Sequence, residues 1–145
     1  MPYESHTNRE LKFMLQKGKP FAHFSDYYPS PPDEQIIPQR ASSQYVESGR
    51  FVTPEYIEPL RVTANSSAPH IKGIRYVLYA QANEAWRIDA FIALKMVAAK
   101  AGWSIGFERL EGYLLGYEEW QTDEHLATLK ARKKASEFYW LKDAK

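Results

Sequence analysis

The chain has 145 residues, a net charge of +1, 44% hydrophobic and 14% aromatic residues, and no cysteine. This length and apolar content suffice for one packed domain spanning residues 1–145, and the lack of cysteine excludes disulfides, thiolate metal sites and cysteine nucleophiles. The near-neutral balance argues against a nucleic-acid or polybasic membrane partner; the longest apolar stretch, residues 90–99, is interrupted by Lys95 and too short to span a bilayer.

The first residues, Met1 to His6, carry neither the basic nor the apolar region of a secretory leader, so a cytoplasmic location is expected. All nine prolines lie at or before Pro69. Proline removes a backbone donor and breaks helix interiors, so loops and edge strands belong to the first half and long helices to the second.

Thr7 and Glu10 have the spacing of a capping box, after which Leu11, Met14 and Leu15 form one apolar face. Gly18 and Pro20 end that helix. Residues 21–25 read as a short strand. Residues 27–40 hold Pro29, Pro31, Pro32 and Pro38 and read as a proline-rich loop. A short helix over 42–47 is stopped by Gly49, and one or two strands fall within 50–62, where Pro59 marks an edge or a bulge. Residues 63–73 form a polar loop.

Residues 74–80 make the best strand, with Ile74, Tyr76 and Leu78 alternating against Arg75, Val77 and Tyr79. It belongs at the centre of a small, mostly antiparallel sheet of three or four strands in the N-terminal half. Asn83 is placed to cap the strongest helix, 84–101, closed by Gly102. Ile88, Phe91, Ile92, Met96 and Ala99 share its broad face, and Leu94 and Val97 extend apolarity around the cylinder, leaving mainly Asp89, Ala93 and Lys100 for solvent, which predicts a buried central helix. Ser104 caps a helix over 105–115 and Thr122 one over 123–140, with 141–145 a frayed tail. The expected class is therefore α+β, the C-terminal helices packing one face of the sheet. Tyr76, Leu78, Ile88, Phe91, Ile92, Leu94, Leu110 and Leu114 are the expected core.

No arrangement in the sequence demands catalysis. Lys95 falls between Phe91 and Ile88 on the helical wheel, and an ammonium in an apolar sector needs a partner or a depressed pKa. It either lines a pocket for an anionic ligand or pairs with a carboxylate. Arg87, at the start of the same helix, could hold a carboxylate or phosphate, yet Glu84 and Asp89 are local partners and no glycine-rich cradle precedes it. His23 and Asp26 lie where the first strand runs into its loop, and His23 is the one proton carrier expected near this helix. One histidine and one carboxylate do not make a zinc site, so neither metal nor cofactor is expected. Residues 107–125 are acidic and 126–145 basic, with Phe138, Tyr139 and Trp140 beside the lysines, but adjacent opposite charges commonly neutralise each other. In Gly112-Tyr113-Leu114-Leu115-Gly116 the glycines permit close helix passage or end a helix.

The signatures of P-loop and dinucleotide enzymes, zincins and α/β-hydrolases are all missing. The expectation is a non-catalytic binding protein of the immunity, antitoxin, inhibitor or adaptor type, with a protein partner. Aromatics in predicted loops and at the terminus — Tyr27, Tyr28, Tyr45, Tyr56, Tyr139 and Trp140 — mark the expected contact surface, since such side chains anchor interfaces. An anionic-ligand pocket built from Arg87, Lys95 and His23 is the alternative, and nucleic-acid contact through Lys130–Lys134 the third reading.

Overall fold

The structure, a computed structural model, describes residues 9–29, 31, 33–59 and 71–143, with side chains as far as residue 132. The elements run α1 (Glu10–Gln16), β1 (Phe21–Tyr28), α2 (Gln39–Glu47), β2 (Phe51–Val52), β3 (Glu55–Pro59), β4 (Gly73–Gln81), α3 (Trp86–Ala101), α4 (Ile105–Leu114) and α5 (Glu119–Asp143). This is the expected α+β arrangement, an antiparallel sheet from the first half with the longer helices following.

β4 is the central strand and pairs antiparallel with every other strand. β1 lies on one side, from Phe21↔Ala80 to Tyr28↔Gly73. On the other side β2 and β3 keep one register, Phe51↔Gln81 through Pro59↔Gly73, and form a single lane interrupted at Thr53–Pro54. Pro54 has no N–H to give, but its carbonyl accepts from Leu78 N at 3.1 Å, so the lane stays attached across the gap.

Helices cover both faces of the sheet, where one covered face was expected. Tyr76, Leu78 and Ala80 pack with Phe21, Ile88, Phe91, Leu94 and Leu114 on the α3–α4 side. Val77 and Tyr79 pack with Met14, Ala22, Ile37 and Phe51 on the α1–α2 side. The physical reason lies in β4 itself. Its positions Arg75 to Ala80 are buried without alternation, the behaviour of a strand sandwiched between two layers rather than one facing water.

Several boundaries differ from expectation. The Thr7 cap lies outside the described residues, as does most of the 63–73 loop. β1 runs on to Tyr28, so the proline-rich loop begins later. α2 starts at Gln39, where the Glu34 carboxylate accepts from the backbone N–H groups of Arg40 and Ala41, a cap supplied from outside the helix. Asn83 does not cap α3. It sits in a 3₁₀ turn, Ala82–Glu84, and α3 begins at Trp86 without a side-chain cap. Gly102 does close it, at φ 82. The Ser104 side chain accepts from Phe107 N as expected.

Thr122 is not a cap either. α5 begins three residues earlier, where Gln121 Oε1 accepts from Glu118 N in the return half of a capping box. Thr122 is instead buried against α4, and a Cβ on Gly112 would lie 2.7 Å from its Oγ1. The two glycines thus divide their tasks. Gly112 allows α5 close to α4, and Gly116, at φ 90 beside Pro20, terminates α4.

Candidate functional site

Three of the side chains expected to carry chemistry lie where α3 and α4 meet the sheet. Arg87 sits in the first turn of α3, near the C-terminal end of antiparallel α4. Its Nε donates to Glu84 Oε2 at 2.9 Å, and its Nη1 to the carbonyls of Tyr113 and Leu114 at 2.8 and 3.1 Å. Lys19, at the turn before β1, donates from Nζ to the next carbonyl, Leu115 O. The final carbonyls of a helix have no intrahelical donor and form the negative end of its dipole. Two basic side chains therefore donate to the end of α4.

Burial lowers the Lys19 pKa to about 7, with Glu10 opposing and Arg87 adding to that shift. The hydrogen bond from Arg87 holds Glu84 below the ordinary carboxylate range.

Lys95 faces the sheet, as its place in the apolar sector requires. Its Nζ lies 3.4 Å from Glu58 Oε2 and over the rings of Tyr76 and Trp103, 4.8 and 5.6 Å from their centroids. Burial opposes its charge, but Tyr76 and Glu58 outweigh burial and hold the ammonium above its ordinary pKa. Burial chiefly raises the Tyr76 phenol, against the pull of Lys95. His23 stacks on Phe91 with centroids 4.8 Å apart, and its Nε2 lies 2.8 Å from Glu111 Oε1. It meets Tyr76 edge-on at 6.0 Å.

His23 and Lys95 thus both approach the Tyr76 ring, each joined to a carboxylate, while Arg87 serves the helix end. The clefts beside α1, between α2 and the β2–β3 lane, and at the α1–β1 turn contain none of the three. Asp26 is engaged elsewhere. With Glu55 it flanks the buried Arg75 at 3.5 and 3.6 Å, an ion triad that crosses all three lanes of the sheet. Among the described residues no group of three or more histidines and carboxylates could hold a metal ion. None of the described helices is long and apolar enough to cross a membrane.

The aromatics expected at a contact surface are mostly occupied internally. Tyr27 is exposed at the end of β1. Tyr28 lies under Arg75, Tyr45 packs on Phe51, and Tyr56 on Tyr76. The side chains of Tyr139 and Trp140 are outside the described residues.

The exposed apolar surface lies elsewhere, on the side of α3 and α4 that faces away from the sheet. Ile88, Phe91 and Leu94 are buried at the i, i+3, i+6 spacing of one face, while Trp86, Met96 and Val97 stand roughly half exposed on the other. This corrects the expectation of a buried central helix with mainly Asp89, Ala93 and Lys100 left to solvent: those three are exposed, and Met96 and Val97 are exposed beside them. Leu110, expected in the core, is 53% exposed. On α4 the positions Phe107, Glu111 and Leu114 turn inward at i, i+4 and i+7, which leaves Leu110 and Tyr113 outside. The Trp86 and Tyr113 rings, 6.5 Å apart, join the two helices' outer faces.

Hydrophobicity could not have picked out these residues, since α3 is apolar on nearly every side. The usable signal is the run Trp86, Asp89, Ala93, Met96, Lys100, whose alternating steps of three and four trace one stripe. Comparison with protein-family models, curated proteins and solved structures finds no match to this chain.

Proposed function

We propose that this chain is a binding protein without catalytic activity, and that it works through the outer apolar face of the α3–α4 hairpin. One observation carries the reading: Trp86, Met96, Val97, Leu110 and Tyr113 remain exposed on neighbouring helices whose inner faces are fully engaged. Contiguous apolar surface of this kind on a folded chain marks an interaction site, and Trp, Tyr and Met are the side chains enriched at such sites.

The anionic-ligand alternative has less support. Arg87 is committed to Glu84 and the α4 carbonyls, and Lys95 to Glu58. Nucleic-acid contact through Lys130–Lys134 lies partly outside the residues whose side chains are described.

The test is purification of tagged protein from its native cells, with and without Val97→Glu. The expected result is a complex larger than the 16.8 kDa chain, which the substitution disperses. Recovery of the parent protein alone and monomeric would overturn the reading.

A further inference from the structure

We infer that the occupant of this surface is a second copy of the same chain, its α3 packed antiparallel on the outer face of the other α3 across a twofold axis at the level of residues 94 and 95. The inference rests on the surface proposed above and assigns its partner.

The exposed stripe of α3 runs Trp86, Asp89, Ala93, Met96, Lys100, with Val97 alongside. Steps of three and four are the spacing by which one helix presents a seam to another. Two such helices placed antiparallel about that axis bring Ala93 of one opposite Met96 of the other, a small residue receiving a large one. The same symmetry places Asp89 opposite Lys100 twice, once at each end of the contact. A twofold interface uses one patch on both partners and must be complementary to itself, and this stripe satisfies that in both size and charge.

Asp89 and Lys100 are exposed, and neither makes an ion pair among the described residues. All the other charged side chains of α3 are engaged: Arg87 with Glu84, and Lys95 with Glu58. With the adjoining Leu110 and Tyr113, the half-exposed apolar side chains offer on the order of 500 Å² of apolar surface. With its polar rim, the patch then approaches the roughly 800 Å² per partner of a specific interface.

The position of the two charges also suits the helix's own dipole, since Asp89 stands in the first turn and Lys100 in the last. Charge reversal separates the two roles. Asp89→Lys alone and Lys100→Asp alone each place like charges opposite one another in the pair of chains. The double variant Asp89→Lys with Lys100→Asp restores opposite charges across the axis while setting both charges against the dipole.

The experiment is sedimentation equilibrium of the purified chain and these three variants at low salt over a wide concentration range. The expected result is a reversible dimer whose dissociation constant rises at least about tenfold in each single variant and returns towards the parent value in the double variant. A parent chain that stays monomeric at every concentration overturns the inference, and so does a double variant that associates no better than either single one. If the pure chain is monomeric while the complex from native cells still disperses on Val97→Glu, the binding surface stands and the second-copy assignment falls. If both experiments show only monomer, the surface reading falls with it.

Discussion

The two sides of the α3–α4 hairpin are built from similar residues and have opposite fates. Inside, Ile88, Phe91, Leu94 and Leu114 meet Phe21, Tyr76 and Leu78 across the sheet. Between them run polar ties, His23 to Glu111 and Lys95 to Glu58, that hold the helices in one register over the strands. Outside, Trp86, Met96, Val97, Leu110 and Tyr113 are also large and apolar, yet each stands roughly half exposed. Hydrophobicity decides that a side chain prefers burial, but the sheet covers one side of a helix only. The difference shows that the inner side holds the fold, while the outer side is available to another chain.

The largest expected effect comes from the inner side. Phe91 is fully buried and touches His23, Phe21 and Tyr76. Its replacement by alanine should cost about 3–5 kcal/mol in denaturant unfolding. A loss below 1 kcal/mol would mean that α3 does not anchor the core.

Next comes Lys19 at the end of α4. The unfolded chain keeps the Lys19 proton up to its ordinary pKa, whereas the native chain releases it near 7. Between about pH 7 and 9.5 the unfolded state therefore binds more protons, so native stability should rise with pH, and below 7 the cost of the buried ammonium stands in full. Lys19→Met should flatten this rise, which reaches a few kcal/mol at most. Tyr76 and Tyr79, raised by burial, act in the opposite sense from the ordinary phenol pKa upward. Denaturant midpoints across the range measure the slope. A parent chain no steeper than the variant would show that Lys19 is not held as a costly buried ammonium.

Gly112→Ala should cost roughly 1–3 kcal/mol, because the new methyl meets Thr122 Oγ1. Adding Thr122→Ala should return part of that loss, and a double variant less stable than the single one would contradict the close α4–α5 passage. The smallest effect belongs to the outer side. Val97→Glu should leave the stability of the isolated monomer within about 0.5 kcal/mol while abolishing association. A large loss of monomer stability would show that the outer face is part of the fold after all.

The sequence made some of this plain and concealed the rest for identifiable reasons. The central strand, the end of α3 at Gly102 and the Ser104 cap were legible because each depends on residues next to one another. The inward direction of Lys95 was legible too, because an apolar sector on a helix leaves it little choice. Its partner Glu58 was not, since β3 reaches α3 only once the sheet has formed. Thr122 carried a cap's chemistry but lay inside a helix begun by Glu118 and Gln121. The exposed surface was hidden most completely. Tyr45 and Tyr56, expected at a contact surface, proved to be packing residues, whereas the exposure of Trp86, Met96 and Val97 was hidden in a helix apolar on most of its sides.

The claim that a second copy covers the outer face of α3 can be tested by cross-linking, because the chain contains no cysteine of its own. One preparation would carry Ala93→Cys and another Met96→Cys, and the two would be mixed under mild oxidation. The mixture should form a disulfide-linked dimer in greater yield than either preparation alone. A mixture that cross-links no better than its components would contradict the claim.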